Sequence, residues 1–235
     1  MIRKMSYLIV YTVLTFSVCE KQDSMEILLH KTEKLEADIL KSVDSITKYR
    51  ANYEKILKEA PASELAPIAC YKLGKLNEIF GHYDEAIEYY QKLLKFYPEH
   101  SGCAEGLFNI AQIQYLYLKN NDEALETYQR VVDLFPQSTA IFQSLLQLGQ
   151  ISCEEQYWSD AVDYFSQIIN QYPEHALCDD LCFRVADISQ FHLFDDRQAG
   201  QWYKHLLDQY PHSPWIQQAQ TRLSELALGG DSHEK

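Results

Sequence analysis

Residues 73–98 read LGKLNEIFGHYDEAIEYYQKLLKFYP. Counting back from Pro98, a leucine stands at four and at five residues (Leu94, Leu93), an aromatic at eight (Tyr90) and an alanine at twelve (Ala86). The same series precedes four further prolines. Pro61, Pro98, Pro136, Pro173 and Pro211 are separated by 37, 38, 37 and 38 residues. Four before each stand Leu57, Leu94, Val132, Ile169 and Leu207; five before stand Ile56, Leu93, Val131, Ile168 and Leu206. Eight before stand Tyr53, Tyr90, Tyr128, Phe165 and Tyr203. Twelve before stand Ala86, Ala124, Ala161 and Ala199, with Tyr49 in place of the first alanine. A fixed period of this size marks a stacked repeat protein. Offsets of 4, 8 and 12 drift slowly around a 3.6-residue helix, which predicts one buried stripe. The proline, lacking an N–H, ends the helix.

Counting forward from each proline finds the partner helix. At plus 10 come Tyr71, Phe108, Leu146 and Phe183; at plus 12, Leu73, Ile110, Leu148 and Val185; at plus 13, Gly74, Ala111, Gly149 and Ala186. From that small residue to the next alanine is 12 or 13 residues. Two antiparallel helices joined by a tight turn fit this distance, with the small side chains at their crossing.

Leu73–Gly74, Ala86, Tyr90 and Pro98 thus resemble the tetratricopeptide repeat, whose pattern runs Leu-Gly, Ala, aromatic, Pro at these offsets. The resemblance covers residues 64 to 211, with links about three residues longer than the usual 34-residue period allows. It implies an all-α fold, a right-handed α-solenoid of four helix hairpins. The pairs are expected at 64–80 with 83–96, 102–118 with 121–135, 138–155 with 158–172, and 175–192 with 196–210. Gly81 and Asn120–Asn121 mark two of the turns. Residues 213–228 read as a capping helix with a polar outer face, as the last element of a stack requires; residues 229–235 read as a solvated tail.

The 235-residue chain carries a net charge of −13, or −15 without its first 18 residues. Such a surface repels phosphates and argues against nucleic acid. Of the six cysteines, Cys70 and Cys182 share one repeat position and Cys103 and Cys178 another, which reads as packing. The alternative, a metal site at His175, Cys178 and Cys182, lacks a fourth ligand and fits no zinc spacing.

Residues 1–19, MIRKMSYLIVYTVLTFSVC, place two basic residues before an apolar run that closes at Cys19. That is the build of an export signal rather than a spanning helix. It resembles a bacterial lipoprotein signal, which implies lipidation of Cys19 and a membrane tether through acyl chains. Residues 24–60 contain neither glycine nor proline, and Leu28, Thr32, Leu35, Ile39, Ser42, Ile46, Tyr49, Tyr53 and Ile56 follow a heptad. The expectation is one long helix with a coiled-coil-like seam open to self-association, its C-terminal half docking on the first full repeat. The alternative is a degenerate first repeat that bends near Asp44–Ser45.

No phosphate loop, catalytic triad order or nucleophile elbow appears. Asp179–Asp180 and Asp195–Asp196 sit at helix starts, where carboxylates favour the dipole. The reading is therefore a non-enzymatic protein, without catalytic residues, cofactor or metal. In a curved stack the first helix of each pair lines the inner surface. By register, the groove residues are Tyr71, Lys75, Glu78, Phe108, Gln112, Tyr115, Gln143, Gln150, Asp187 and Gln190, suited to an extended peptide. For Tyr71 and Phe108, packing between helices is the competing role. The signal, long charged helix and repeats together resemble bacterial envelope tetratricopeptide lipoproteins, such as the β-barrel assembly lipoprotein subunit and the Tol-Pal coordinator. That resemblance implies a scaffold for protein or peptide partners, anchored in a membrane and facing the periplasm. A cytoplasmic adaptor and an accessory binding peptidoglycan fragments are the alternatives.

Overall fold

The computed structural model describes residues 27–30 and 43–230. Every regular element among them is an α-helix. The chain divides into two compact units, residues 1–119 and 120–235. The first holds α1 (Val43–Glu59), α2 (Leu65–Ile79), α3 (Tyr83–Phe96) and α4 (Cys103–Leu116). The second holds α5 (Asn121–Leu134), α6 (Ala140–Glu154), α7 (Trp158–Gln171), α8 (Cys178–Phe191), α9 (Asp196–Gln209) and α10 (Ile216–Gly230). Within each unit every helix packs on its neighbours in sequence. The unit boundary falls inside the second expected pair, at the Lys119–Asn120 bond.

The stripe that drives the packing differs by one offset from the expected one. Residues twelve, eight and five before each proline from Pro98 on are fully enclosed: Ala86, Tyr90 and Leu93; Ala124, Tyr128 and Val131; Ala161, Phe165 and Ile168; Ala199, Tyr203 and Leu206. Of the residues four before, Leu94, Val132 and Leu207 are only half-buried. Helical geometry explains this. Seven residues turn a helix almost twice, leaving about 20° of drift, whereas eight residues drift about 80°. The seam is therefore spaced four then three.

First helices are enclosed on two sides and second helices on one. The first helices α2, α4, α6 and α8 bury eight, eight, nine and eight residues. The second helices α3, α5, α7 and α9 bury three, four, five and three. The small residue at plus 13 accommodates the buried aromatic. A Cβ on Gly74 would stand 2.5 Å from Cε1 of Tyr90, and one on Gly149 closer still to the Phe165 ring.

Each proline link carries the same two backbone bonds. At the second link His100 N–H donates to Tyr97 O and Cys103 N–H to His100 O, both at 3.0 Å. Equivalent pairs bracket Ser63, Ser138, His175 and Ser213. These successive turns account for the residues added to the period. The residue between them also accepts from the backbone two residues on: Gly102 N–H donates to His100 Nδ1, Ala140 N–H to Ser138 Oγ, Leu177 N–H to His175 Nδ1 and Trp215 N–H to Ser213 Oγ, at 3.1–3.2 Å, and at Ser138 the donor satisfied is the first N–H of α6. Removing such a cap costs about 1 kcal/mol. Ser138→Ala is thus expected to lower the unfolding midpoint by about 2–4 °C, read by thermal circular dichroism.

Each first helix is closed by an N–H that reaches back five residues to a carbonyl: His82 to Asn77, Leu118 to Ile113, Tyr157 to Ser152 and Leu193 to Ile188. Gly81 and Gln156, each just before the donor, take the positive φ this closure needs, at φ 74° and 61°; Lys119 and Phe194, at the same register position, also have positive φ but follow the donors Leu118 and Leu193.

The N-terminal part of the first unit is described in two stretches, residues 27–30 and 43–59. Tyr49, Tyr53 and Ile56 of α1 are buried against Ala69, Leu73 and Leu76 of α2, the docking expected of this region. Leu28 and Leu29 of the helical stretch 27–30 pack on the same cluster. Residues 31–42, over which the expected long helix would run, lie outside the described residues. The C-terminal half of the heptad seam is covered by α2. Cys19 and the expected signal lie outside the described residues.

Candidate binding faces

In the first unit α2 and α4 touch, which brings six of the expected groove residues to one face. Lys75 Nζ stands 3.1 Å from Glu78 Oε2, and the same oxygen accepts from Tyr90 OH at 2.9 Å. Tyr71 packs its ring on Tyr90 with 5.9 Å between centroids, yet remains half-buried, as does Phe108. Both thus serve packing while keeping one side open. Gln112 and Tyr115 are half-buried on α4.

The second unit repeats the device. Tyr203 OH lies 2.7 Å from Asp187 Oδ1 and 3.0 Å from Gln190 Oε1. In the first and fourth hairpins a buried repeat tyrosine thus reaches through to hold a groove carboxylate from below. Asp187 is half-buried and lines a cleft of about 480 Å³ along α8, together with Cys153, Trp158, Asp180, Phe183, Arg184, Phe191 and Trp215. Gln143 is exposed and Gln150 half-buried on α6; neither lines the cleft, nor does Gln190. Two other clefts lie at proline links, away from these faces. One of about 1290 Å³ is walled by Leu57, Pro61, Leu65 and Phe96, the other, about 520 Å³, by His175, Tyr210 and Pro211.

Burial raises the phenols of Tyr90 and Tyr203 far above the usual tyrosine range, and the adjacent carboxylates add to the effect. Both stay neutral in the fold after an unfolded chain has ionised. Their contribution is complete below pH 10 and declines above it, each by about 1.4 kcal/mol per pH unit. Urea midpoints should therefore fall steeply from pH 10 to 11, and Tyr203→Phe should flatten the decline for the second unit.

Burial likewise pushes the Cys70 thiol up to about 11 and Cys182 to about 12, against any thiolate chemistry there. Cys178 Sγ donates to Tyr172 O at 3.0 Å, a packing role. Among the described residues no group of His, Cys, Asp and Glu is placed to hold a metal ion.

The sequence reading missed one repeated contact, between the first residue of a second helix and the end of the next first helix. Tyr83 stacks on Tyr117 at 4.2 Å and Trp158 on His192 at 3.8 Å. At the equivalent position Asn121 Nδ2 donates to Glu155 Oε1. Each pair stands fifteen before one proline and nineteen after it. The signal was the recurrence of Tyr83 and Trp158 at one register position. A second missed tie is at the links, where Tyr97 OH donates to Pro61 O and Tyr210 OH to Pro173 O, at 2.8 and 2.9 Å.

Consecutive antiparallel helices that enclose an aromatic and an alanine at one period define a helical-hairpin repeat scaffold. Family models of the tetratricopeptide repeat match residues 64–137 and 143–175, and the chain carries tetratricopeptide repeats over those residues. The fourth hairpin, outside both matches, buries Val185, Ala186, Ala199 and Tyr203 in the same way. No curated protein matches the sequence. Solved structures share the fold. A tetratricopeptide repeat protein from Parabacteroides merdae is 16% identical with a TM-score of 0.56, over 88% of this chain and 73% of its own. MamA from Desulfovibrio magneticus RS-1 is 14% identical with a TM-score of 0.53, over 82% and 98%. YrrB, a tetratricopeptide repeat protein with an unusual peptide-binding site, is 20% identical with a TM-score of 0.50, over 79% and 88%.

Proposed function

We propose that the protein is a non-enzymatic scaffold of the bacterial cell envelope that holds an extended peptide or protein segment on its first-helix faces. A fold of this class serves protein–protein interaction. The observation that carries the peptide reading is the pair of groove carboxylates, Glu78 and Asp187, each fixed by a tyrosine beneath it. Polar groups held in place beside half-buried aromatics bind a backbone and its side chains at low ordering cost. YrrB, which shares the fold, has a peptide-binding site. Photo-crosslinking residues at Gln112 and Gln190, with Lys95 on a second helix as control, test this in cells. Crosslinks confined to the first two positions are expected; equal yield from Lys95 would overturn the reading.

The envelope location rests on residues 1–19 and the lipid-accepting Cys19. Among the described residues no helix is long and apolar enough to cross a membrane; the tether proposed is the acyl chain on Cys19. Cys19→Ser should release the protein from the membrane fraction and abolish palmitate labelling. An unchanged membrane fraction rules the tether out.

A further inference from the structure

The negative charge of this chain is unevenly divided. Residues 43–119 carry 10 Asp and Glu against 9 Lys and Arg, a net charge of −1; residues 120–230 carry 16 against 5, a net charge of −11. The α8 cleft lies in the second region. Its polar groups include Asp180, which is exposed, and Asp187, whose Oδ1 takes the Tyr203 hydroxyl. A carboxylate has lone pairs for further donors on its other oxygen. The cleft's own cation is already engaged, because the Arg184 guanidinium lies 5.0 Å over the ring of Phe165. The cleft walls are aromatic. Phe183 stacks on Trp215 at 4.6 Å, Trp158 on His192, and Phe191 has 44% of its surface exposed. The chain itself places a guanidinium on this wall, Arg222 over Phe191 at 4.7 Å.

We propose that the α8 cleft selects a basic extended segment, one Lys or Arg head meeting Asp187 while its stem lies along Phe183 and Trp215, and a second basic residue meeting Asp180 two helical turns, about 10 Å, away. This deepens the peptide-binding reading above and rests on it. Aromatic faces attract cations, and aliphatic stems cover apolar walls while the charged head stays polar-bound. The surrounding field of −11 concentrates such a partner and repels acidic ones.

The test uses the full chain and fluorescein-labelled twelve-residue peptides of equal apolar content and net charge −4, 0 or +4. In fluorescence anisotropy at low salt the +4 peptide is expected to bind about ten-fold tighter than the neutral one. The double variant Asp180→Asn, Asp187→Asn keeps an acceptor for Tyr203, and circular dichroism checks its fold. It should lose most of that ten-fold preference, read as the ratio of the +4 to the neutral peptide's affinity for the same variant. Equal affinity for neutral and +4 peptides would overturn the basic selectivity while the groove reading stands. A preference for +4 that survives the double variant would overturn the cleft as its source. Binding of no peptide in the series would overturn the groove reading, and this inference with it.

Discussion

Phe165→Ala is expected to destabilise the C-terminal unit by about 3–5 kcal/mol, the range for emptying an enclosed aromatic site. The ring is fully buried, Gly149 closes over one edge and Arg184 lies over its face. Alanine leaves a void that two helices cannot close without shifting, and strands a guanidinium that the ring held. The chain offers an internal reporter, since Trp158, Trp202 and Trp215 all belong to residues 120–235. Tryptophan fluorescence in urea follows that unit alone, whereas circular dichroism follows both. The fluorescence midpoint should drop sharply with part of the dichroism transition unmoved. A loss below about 1 kcal/mol would mean that the ring is not the keystone of its hairpin.

Gly149→Val is the converse experiment and is expected to cost about 3 kcal/mol, the upper range for overpacking. A Cβ at Gly149 already overlaps the Phe165 ring, and two further methyl groups have nowhere to go. The two substitutions act on one volume, so their effects should not add. In the double variant the valine occupies space that the lost ring vacated, and the combined cost should fall short of the sum by at least about 1 kcal/mol. Strict additivity would show that Gly149 is small for a reason other than the ring.

The hairpins were legible because repetition multiplies a weak signal. Ala86, Tyr90 and Leu93 say little alone; the same spacing before Pro136, Pro173 and Pro211 says helix, seam and stop. The seam's true spacing was harder, because residues four and five before each proline are both aliphatic and only packing tells them apart. Residues 24–60 are ambiguous for a related reason. An unbroken heptad is compatible with one helix or with two, and the contact of Leu28 with the Tyr49 cluster depends on chain direction. The groove residues were found by register, but their chemistry was not. That Tyr90 and Tyr203 each tether a carboxylate depends on a hydroxyl crossing a helix pair, which no linear pattern encodes. Trp158 and Trp215 escaped notice because they stand at helix starts, where an exposed role is the default reading.

The couples Tyr83–Tyr117, Asn121–Glu155 and Trp158–His192 give the series a grammar. Each hairpin presents a particular chemical ending that only its proper successor completes: phenol on phenol, amide on carboxylate, indole on imidazole. Hairpins that share a backbone are therefore not interchangeable bricks. Transposing the second and third would set Tyr83 against Glu155 and Asn121 against His192, so the order of the modules is written into their seams.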